Sequence, residues 1–248
     1  MSLRSFLALA AVLCSLSACH TVTVLKSIEV PEALRSDATV MDVHGRQDLP
    51  FNQVIRFGDY GSSKIDRGWT QSRSREVESD FAVRFKTAKQ KLGFSLHGPQ
   101  GREAQVLAVS RFESNELGLL RDYSLTVYTR QVDTFAGTVI PVQGSGGEWE
   151  FVVSDPEGGP SRDADAGRML DKAGRQILIR GVKKVEGAPG LLGWENYGFE
   201  FVQDGQTIGA VSLLGKGRVW LRQSLDADSR LVVASVATAL MVRQSIKS

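Results

Sequence analysis

Short segments in which apolar and polar residues alternate recur along the chain from residue 50 onward. In residues 80–86, Phe81, Val83 and Phe85 alternate with charged or small residues. A period of two, interrupted by glycine-bearing turns, is typical of half-buried antiparallel strands. The same pattern occurs at residues 102–112, 122–132, 138–143, 149–154 and 175–185. The pattern therefore predicts a single β-rich domain over residues 50–248.

The clearest predicted hairpin covers residues 197–213. Asp204-Gly205 stands between two alternating segments and suits a two-residue turn with positive φ angles. The turn sets up two cross-strand pairs that we expect to face the core, Phe201 with Ile208 and Phe199 with Ala210.

The period changes after residue 225, where Asp226 or Asp228 is a candidate N-cap. An apolar run then extends from Leu231 to Val242, interrupted by one serine and one threonine. A helix without a polar face is either enclosed on all sides or placed in a membrane. Because twelve helical residues cover only about 18 Å of a hydrocarbon core about 30 Å thick, we expect a buried core helix over residues 226–243.

These elements predict a mainly β fold, an antiparallel β-barrel or sandwich with a buried hydrophobic C-terminal helix. Residues 193–243 resemble the tubby C-terminal and phospholipid-scramblase type of fold in their strand order, the strand that carries Trp220 and the apolar helix. The resemblance implies a barrel closed around the helix. Tubby domains bind phosphoinositides through basic residues, but no position here matches that pattern. A β-sandwich or an open sheet with a packed helix is the alternative.

The first eighteen residues have the order of a secretory signal peptide. Arg4 is followed by an apolar stretch over residues 6–16 and by the small residues Ser17 and Ala18. The apolar stretch falls short of the roughly 20 residues that a membrane-spanning helix needs. Residues 1–18 are therefore expected to be removed from the mature protein.

Leu16-Ser17-Ala18-Cys19 resembles the lipobox of bacterial lipoproteins, where cleavage precedes a cysteine whose sulfur carries diacylglycerol. Cys14 lies in the discarded segment, so Cys19 would be the only cysteine of the mature chain and would have no disulfide partner. The alternative is an ordinary signal peptide that is cut nearby.

Acylation of Cys19 would tether the domain to a membrane, because more than one buried acyl chain holds firmly. In Gram-negative lipoproteins an aspartate after the cysteine commonly retains the protein at the inner membrane, and here the residue is His20. The resemblance therefore implies the periplasmic face of the outer membrane. Residues 19–49 are expected to hold the lipidated N-terminus, a tether and the lead into the domain.

The charge balance argues against nucleic acid as a partner. Of the 30 basic residues one, Arg4, belongs to the signal peptide, and the rest nearly balance the 28 acidic residues. A nucleic-acid-binding protein needs a surplus of lysine and arginine to displace counterions.

A basic strip within residues 57–75 is the most unusual polar stretch of the sequence. Basic side chains interleave there with aromatic ones, an arrangement suited to lipid phosphates, lipopolysaccharide or an acidic envelope protein. The polar faces of ordinary strands explain the strip equally well. The candidate contacts to an anionic ligand are Lys64, Arg67, Trp69, Arg73 and Arg75.

The sequence shows no catalytic, cofactor-binding or metal-binding pattern. The three histidines, His20, His44 and His97, stand near no recognisable catalytic or metal-ligand partner. The acidic stretch at residues 154–171 lacks the ligand spacing of a helix-loop-helix calcium site, which indicates a solvated loop.

The leading functional hypothesis is a non-enzymatic outer-membrane lipoprotein whose periplasmic β domain binds a partner protein or an amphiphile. The alternative is a cell-envelope hydrolase that uses carboxylates such as Glu148, Glu150 or Asp155.

Overall fold

The computed structural model describes residues 27–46, 52–68, 90–110, 134–143, 147–154, 165–188 and 195–243. Every structural statement below refers to these ranges. Two α-helices lie in them, α1 (Glu32–Arg35) and α2 (Ala227–Val242), together with a 3-10 turn at Pro99–Gly101. The strands are β1 (Ala38–Asp42), β2 (Arg56–Phe57), β3 (Tyr60–Ser62), β4 (Asp66–Arg67), β5 (Gln90–His97), β6 (Glu103–Ser110), β7 (Thr134–Pro141), β8 (Trp149–Ser154), β9 (Asp165–Asp171), β10 (Gln176–Val182), β11 (Gly198–Gln203), β12 (Gln206–Ser212) and β13 (Arg218–Arg222).

The strands form one nearly closed, twelve-stranded antiparallel barrel. The hydrogen-bonded order is β1-β13-β12-β11-β10-β9-β8-β7-β6-β5-β3-β2, and β4 pairs with β5 beside this path. The two ends of the sheet meet where His44 exchanges backbone hydrogen bonds of 2.8 and 3.0 Å with Arg56. The prediction of a mainly β fold with a buried C-terminal helix is confirmed, and of the two architectures it allowed, the barrel is the one observed.

The two ends of the barrel differ in how the strands are connected. At the hairpin end, marked by His97 and Gln203, connections such as residues 98–102 and 204–205 are short. At the connector end, marked by Ser110 and Ser212, connections such as residues 111–133 and 183–197 are long. Helix α2 follows β13 and runs from the hairpin end to the connector end.

Helix α2 lies inside the barrel, and every side chain from Leu231 to Val242 is at most 3% exposed. Its two hydroxyls are satisfied within the helix itself. Ser235 donates to the Leu231 carbonyl and Thr238 to the Ala234 carbonyl, each at 2.8 Å. The enclosed helix therefore buries these side chains without an unpaired polar group. Of the helices that the structure describes, none is long and apolar enough to cross a membrane.

Asp226 is the N-cap of α2, one of the two predicted candidates. Its carboxylate accepts a hydrogen bond of 2.9 Å from the Ser229 backbone N–H. Burial alone would raise the pKa of the Asp226 carboxyl, but the hydrogen bonds from Ser229 outweigh it and lower that pKa. Asp228 instead forms an ion pair with Arg102 of the β5–β6 connection. The start of the helix is thus bound to the barrel wall at the hairpin end.

The predicted turn at Asp204-Gly205 is confirmed, with φ angles of 50° and 77°. The predicted register is wrong. A β-bulge between Phe201 and Val202 shifts the pairing, so that Phe201 lies opposite Gly209 rather than Ile208. One extra residue in a strand reverses the faces of all residues beyond it.

The shift at the bulge moves Ala210 to the outer face of the barrel. Phe199 pairs with Val211 instead of Ala210, and both members of that pair belong to the core around α2. Ala210 is fully buried, but in a smaller cluster that includes Trp220 and Leu34 of α1. The prediction that Ala210 is buried is therefore confirmed, but the prediction that it faces the inside of the barrel is wrong.

Four of the other segments that alternate in the sequence form strands. They are β6, β7, β8 and β10. Residues 80–86 and 122–132 lie outside the described ranges, and their strands stay predictions.

The acidic stretch at residues 154–171 is only partly as expected. Instead of continuing as a loop, residues 165–171 form β9 between β8 and β10, because Met169 and Leu170 are buried in the sheet. Asp171 is also buried and accepts hydrogen bonds from the backbone N–H groups of Ala173 and Arg175 at 3.0 and 2.7 Å. These hydrogen bonds stabilise the turn between β9 and β10.

The N-terminal segment is attached to the barrel well before residue 50. Ile28 bridges Val185, and the Ser27 carbonyl accepts a hydrogen bond of 2.9 Å from the Glu186 N–H. Ile28, Val30 and Leu34 then cover the outer face of the sheet beside Trp220. The part of the chain expected to hold the tether and the lead into the domain therefore includes a folded portion, residues 27–46.

Candidate ligand-binding pocket at the connector end

A pocket of about 250 Å³ lies at the connector end, beside the C-terminus of α2. It is formed by β4, β5, β6 and β7 together with the residue that follows the helix. Its lining residues are Arg67, Gly68, Gln90, Lys91, Leu92, Ala108, Val109, Ser110, Phe135 and Arg243. The lining thus combines three basic side chains with an apolar surface.

Strand pairing brings the apolar part of the lining together. Arg67 of β4 lies opposite Leu92 of β5, and Leu92 lies opposite Ala108 of β6. Ser110 at the end of β6 lies opposite Phe135 of β7. Leu92, Ala108 and Phe135 all belong to the main core, so the floor of the pocket is the outermost layer of that core.

Arg67 links the pocket to the end of the helix. Its Nη2 donates to the Gln53 side-chain oxygen at 3.0 Å and to the Val242 carbonyl at 2.8 Å. A guanidinium at this position satisfies a terminal carbonyl and complements the negative end of the helix dipole. Burial lowers the pKa of Arg67, although arginine remains protonated at physiological pH. Its Nε is buried and has no hydrogen-bond partner among the described residues.

Arg243, the residue that follows α2, provides a second guanidinium in the lining. Its backbone N–H donates to the Ala239 carbonyl at 3.0 Å, which fixes the first residue beyond the helix. Lys91 lines the same pocket from β5. Within the described ranges, no histidine, cysteine or carboxylate lines the pocket. The chemistry that the lining offers is attraction of an anionic group beside an apolar surface.

The predicted basic strip is only partly described by the structure. Arg67 lines the pocket, whereas Lys64 is exposed on the segment between β3 and β4. Trp69, Arg73 and Arg75 lie outside the described residues. Arg243 is not among the residues that the sequence proposed for an anionic ligand. Its role in the pocket depends on how the barrel surrounds the helix, which no local pattern reveals.

The other singled-out residues lie away from this pocket. His44 is exposed and contributes its backbone to the closure of the barrel. His97 is exposed at the hairpin end, with its Nδ1 3.6 Å from a carboxylate oxygen of Glu103. No group of three histidine, cysteine, aspartate or glutamate side chains that could hold a metal ion occurs in the described part of the chain.

The carboxylates named for a hydrolase have structural partners where they are described. Glu148 accepts a hydrogen bond of 2.9 Å from the Thr138 hydroxyl and lies 3.0 Å from the Lys172 ammonium. Glu150 lies in β8 opposite Thr138 of β7. Asp155 falls outside the described residues. The Glu148 contacts link β7 to the β9–β10 turn.

No family model, no curated protein and no solved structure matches this chain. The comparisons therefore add no ligand and no functional residue to those identified above. The pocket, the enclosed helix and the N-terminal sequence are the features of the molecule that bear on its function.

Proposed function

We propose that the protein is a non-enzymatic lipoprotein at the periplasmic face of the outer membrane, and that its barrel binds an anionic amphiphile. The observation that carries the proposal is the pocket at the connector end, where Arg67, Lys91 and Arg243 adjoin an apolar floor. The anchor is a lipid on Cys19, supported by the Leu16-Ser17-Ala18-Cys19 sequence. Binding, not catalysis, is the activity.

The composition of the pocket favours a ligand with one charged and one apolar part. A phosphate or carboxylate group next to the two guanidinium groups would accept charge-assisted hydrogen bonds, which are stronger than neutral ones. Leu92 and Phe135 would contact the apolar part of the same ligand. Phospholipids and lipopolysaccharide both combine phosphate with acyl chains, so both satisfy this chemistry.

The enclosed helix limits where the ligand can bind. Because α2 fills the barrel, an acyl chain has no open lumen to enter. The pocket of about 250 Å³ is smaller than the roughly 300–1,000 Å³ of sites that hold drug-sized ligands. A headgroup with the first part of a chain is therefore the portion we expect it to hold. A barrel around a hydrophobic helix is also what the resemblance to tubby and scramblase-type folds implies, and that relationship stays part of the proposal.

Replacing Cys19 with alanine is expected to leave an uncleaved or soluble protein. Without the sulfur there is no site for the acyl chains that hold the domain at the membrane. Mass spectrometry of the membrane and soluble fractions measures this directly. Cys14→Ala is the matched control, because that residue lies in the segment expected to be removed. Release of the wild-type protein without detergent would argue against the anchor.

Replacing Arg243 with glutamine is expected to weaken binding of an anionic amphiphile by roughly tenfold or more, because a hydrogen bond to a charged group contributes about 1.5–3 kcal/mol. The probe is monomeric dihexanoyl phosphatidylglycerol, measured by calorimetry. Dihexanoyl phosphatidylcholine tests the need for net charge, and inorganic phosphate tests whether phosphate alone suffices. Raising the salt concentration should weaken the binding further.

The matched control is Lys64→Gln, which removes a charge from the same basic strip outside the pocket. It should leave the affinity unchanged. Arg67→Gln should also weaken binding, but it removes a contact to the helix end and needs a melting curve beside it. An Arg243→Gln protein that melts like the wild type and binds equally well would contradict the proposal. An acidic envelope protein that binds where the amphiphile does not would favour the partner-protein alternative.

A further inference from the structure

The described chain begins at the connector end of the barrel. The Ser27 carbonyl accepts a hydrogen bond from Glu186, and the Glu29 N–H donates to the Lys184 carbonyl at 3.1 Å. Both partners belong to the connection between β10 and β11, which lies at that end. From there the chain crosses the outer wall to α1 and enters β1 from the hairpin end. Ser27, the first residue that the structure describes, therefore lies beside the connector end.

The distance from Cys19 to this attachment is short. Residues 20–26 separate Cys19 from Ser27, a segment that spans about 28 Å when fully extended and about 16 Å as a flexible coil. The longest strands have 8 residues, and with the usual tilt they give a barrel about 20 Å high. A lipid on Cys19 reaches a membrane at the connector end without strain. To place the hairpin end against the membrane, the tether would have to run about 20 Å along the whole wall, more than its span as a flexible coil.

The two ends also differ in charge. Among the described residues of the connector end, basic side chains outnumber acidic ones. Lys184 and Lys216 are exposed there, as are Glu29, Glu186 and Glu195, whereas the pocket arginines are half-buried. At the hairpin end the described acidic side chains are the more numerous, with Asp204 and Asp226 exposed. An anionic lipid surface attracts the first end and repels the second.

We propose that the anchored protein sits with its connector end against the membrane and that anionic phospholipid headgroups are the surface it contacts there. The inference rests on the Cys19 anchor of the proposed function and adds the orientation of the domain. In this orientation the pocket opens toward the headgroups, so a ligand can reach Arg67 and Arg243 directly from the membrane surface.

The experiment uses the full mature lipoprotein in vesicles of phosphatidylcholine and phosphatidylglycerol. Lys216→Cys and Ser224→Cys each introduce one thiol at an exposed position. Position 216 lies just before strand β13, at the connector end, and position 224 lies just after it, at the hairpin end. Each thiol carries a fluorophore, and a lipid with a spin label on its headgroup is the quencher. We expect the label at position 216 to lose most of its fluorescence and the label at position 224 to keep it. Equal quenching, or stronger quenching at position 224, would overturn the proposed orientation.

Failure of the anchor and failure of the orientation give different results. Flotation with the vesicles and the intact mass of the protein report acylation before any quenching is measured. A protein that lacks the acyl mass and does not float contradicts the proposed function itself. A protein that floats and carries the acyl chains, but shows no difference between the two labels, contradicts only the orientation. Melting curves of both cysteine variants show that each barrel is intact.

Discussion

A chain that stops before Asp226 is expected not to fold, whereas a chain that stops after Arg243 folds like the full-length protein. The helix supplies the centre of the core, and it packs against β5, β6, β7, β12 and β13. Without it the inward-facing apolar side chains would line an open, water-filled interior. A domain with roughly 5–15 kcal/mol of stability cannot lose that burial and remain folded.

Circular dichroism and thermal melting of the two truncated chains test this expectation. The longer chain is the matched control, because it lacks only residues 244–248 and keeps the whole helix. A helix packed on the outside of a β domain could be removed with the domain intact. A shorter chain that stays soluble and melts cooperatively would therefore contradict the view of the helix as the core.

Leu240→Ala is expected to lower the free energy of unfolding by about 2–5 kcal/mol, and Val236→Ala by somewhat less. Both side chains are buried in the main core, at 2% and 0% exposure. The strands around them are hydrogen-bonded to one another in a nearly closed barrel, so the wall cannot collapse into the cavity that truncation leaves.

Urea unfolding of the variants measures the change, with Val40→Ala as control. Val40 is also an aliphatic strand residue, but it is 48% exposed, and its truncation should change the free energy of unfolding by less than about 0.5 kcal/mol. Similar losses of unfolding free energy in the Val40 and Leu240 variants would show that the position of α2 inside the barrel does not increase the cost of truncation.

The periodicity of the sequence was sufficient to predict most of the described fold. Alternation at residues 102–112 and 149–154 marked β6 and β8, because buried and half-buried positions alternate over the first part of each strand. The uniform apolar run from Leu231 predicted the enclosed helix, because that helix is buried on every face. The choice between barrel and sandwich depends on how the last strand meets the first, and no local pattern carries that information.

The register near Ile208 shows a different limit of sequence reasoning. Strict alternation from the Asp204-Gly205 turn places Ala210 inside, but the bulge moves it outside. The small alanine is buried there beneath Leu34 of α1, far away in sequence. Alanine is compatible with either face, so its sequence position alone could not reveal the extra residue.

The pocket was predictable only in its chemistry. The basic strip named Arg67 as a ligand contact, which stays a prediction, and did not indicate that Arg67 is a half-buried partner of the helix end. Arg243 comes from the opposite part of the sequence, and Leu92 and Phe135 come from two further strands. Residues from five separate elements can be grouped into one site only when the order of the strands in the barrel is known.

The pairing of β1 with β13 and the position of α2 also impose an order on folding. The strand nearest the N-terminus of the described chain needs the last strand as its neighbour, and the central helix follows that last strand. A nascent chain emerging from the ribosome therefore has no complete core until its final residues are available, in contrast to domains that assemble progressively from the N-terminus. Long-range pairing of this kind also slows folding once synthesis is complete. The polypeptide consequently stays unfolded, with its apolar strand faces exposed, until β13 and α2 have been synthesised.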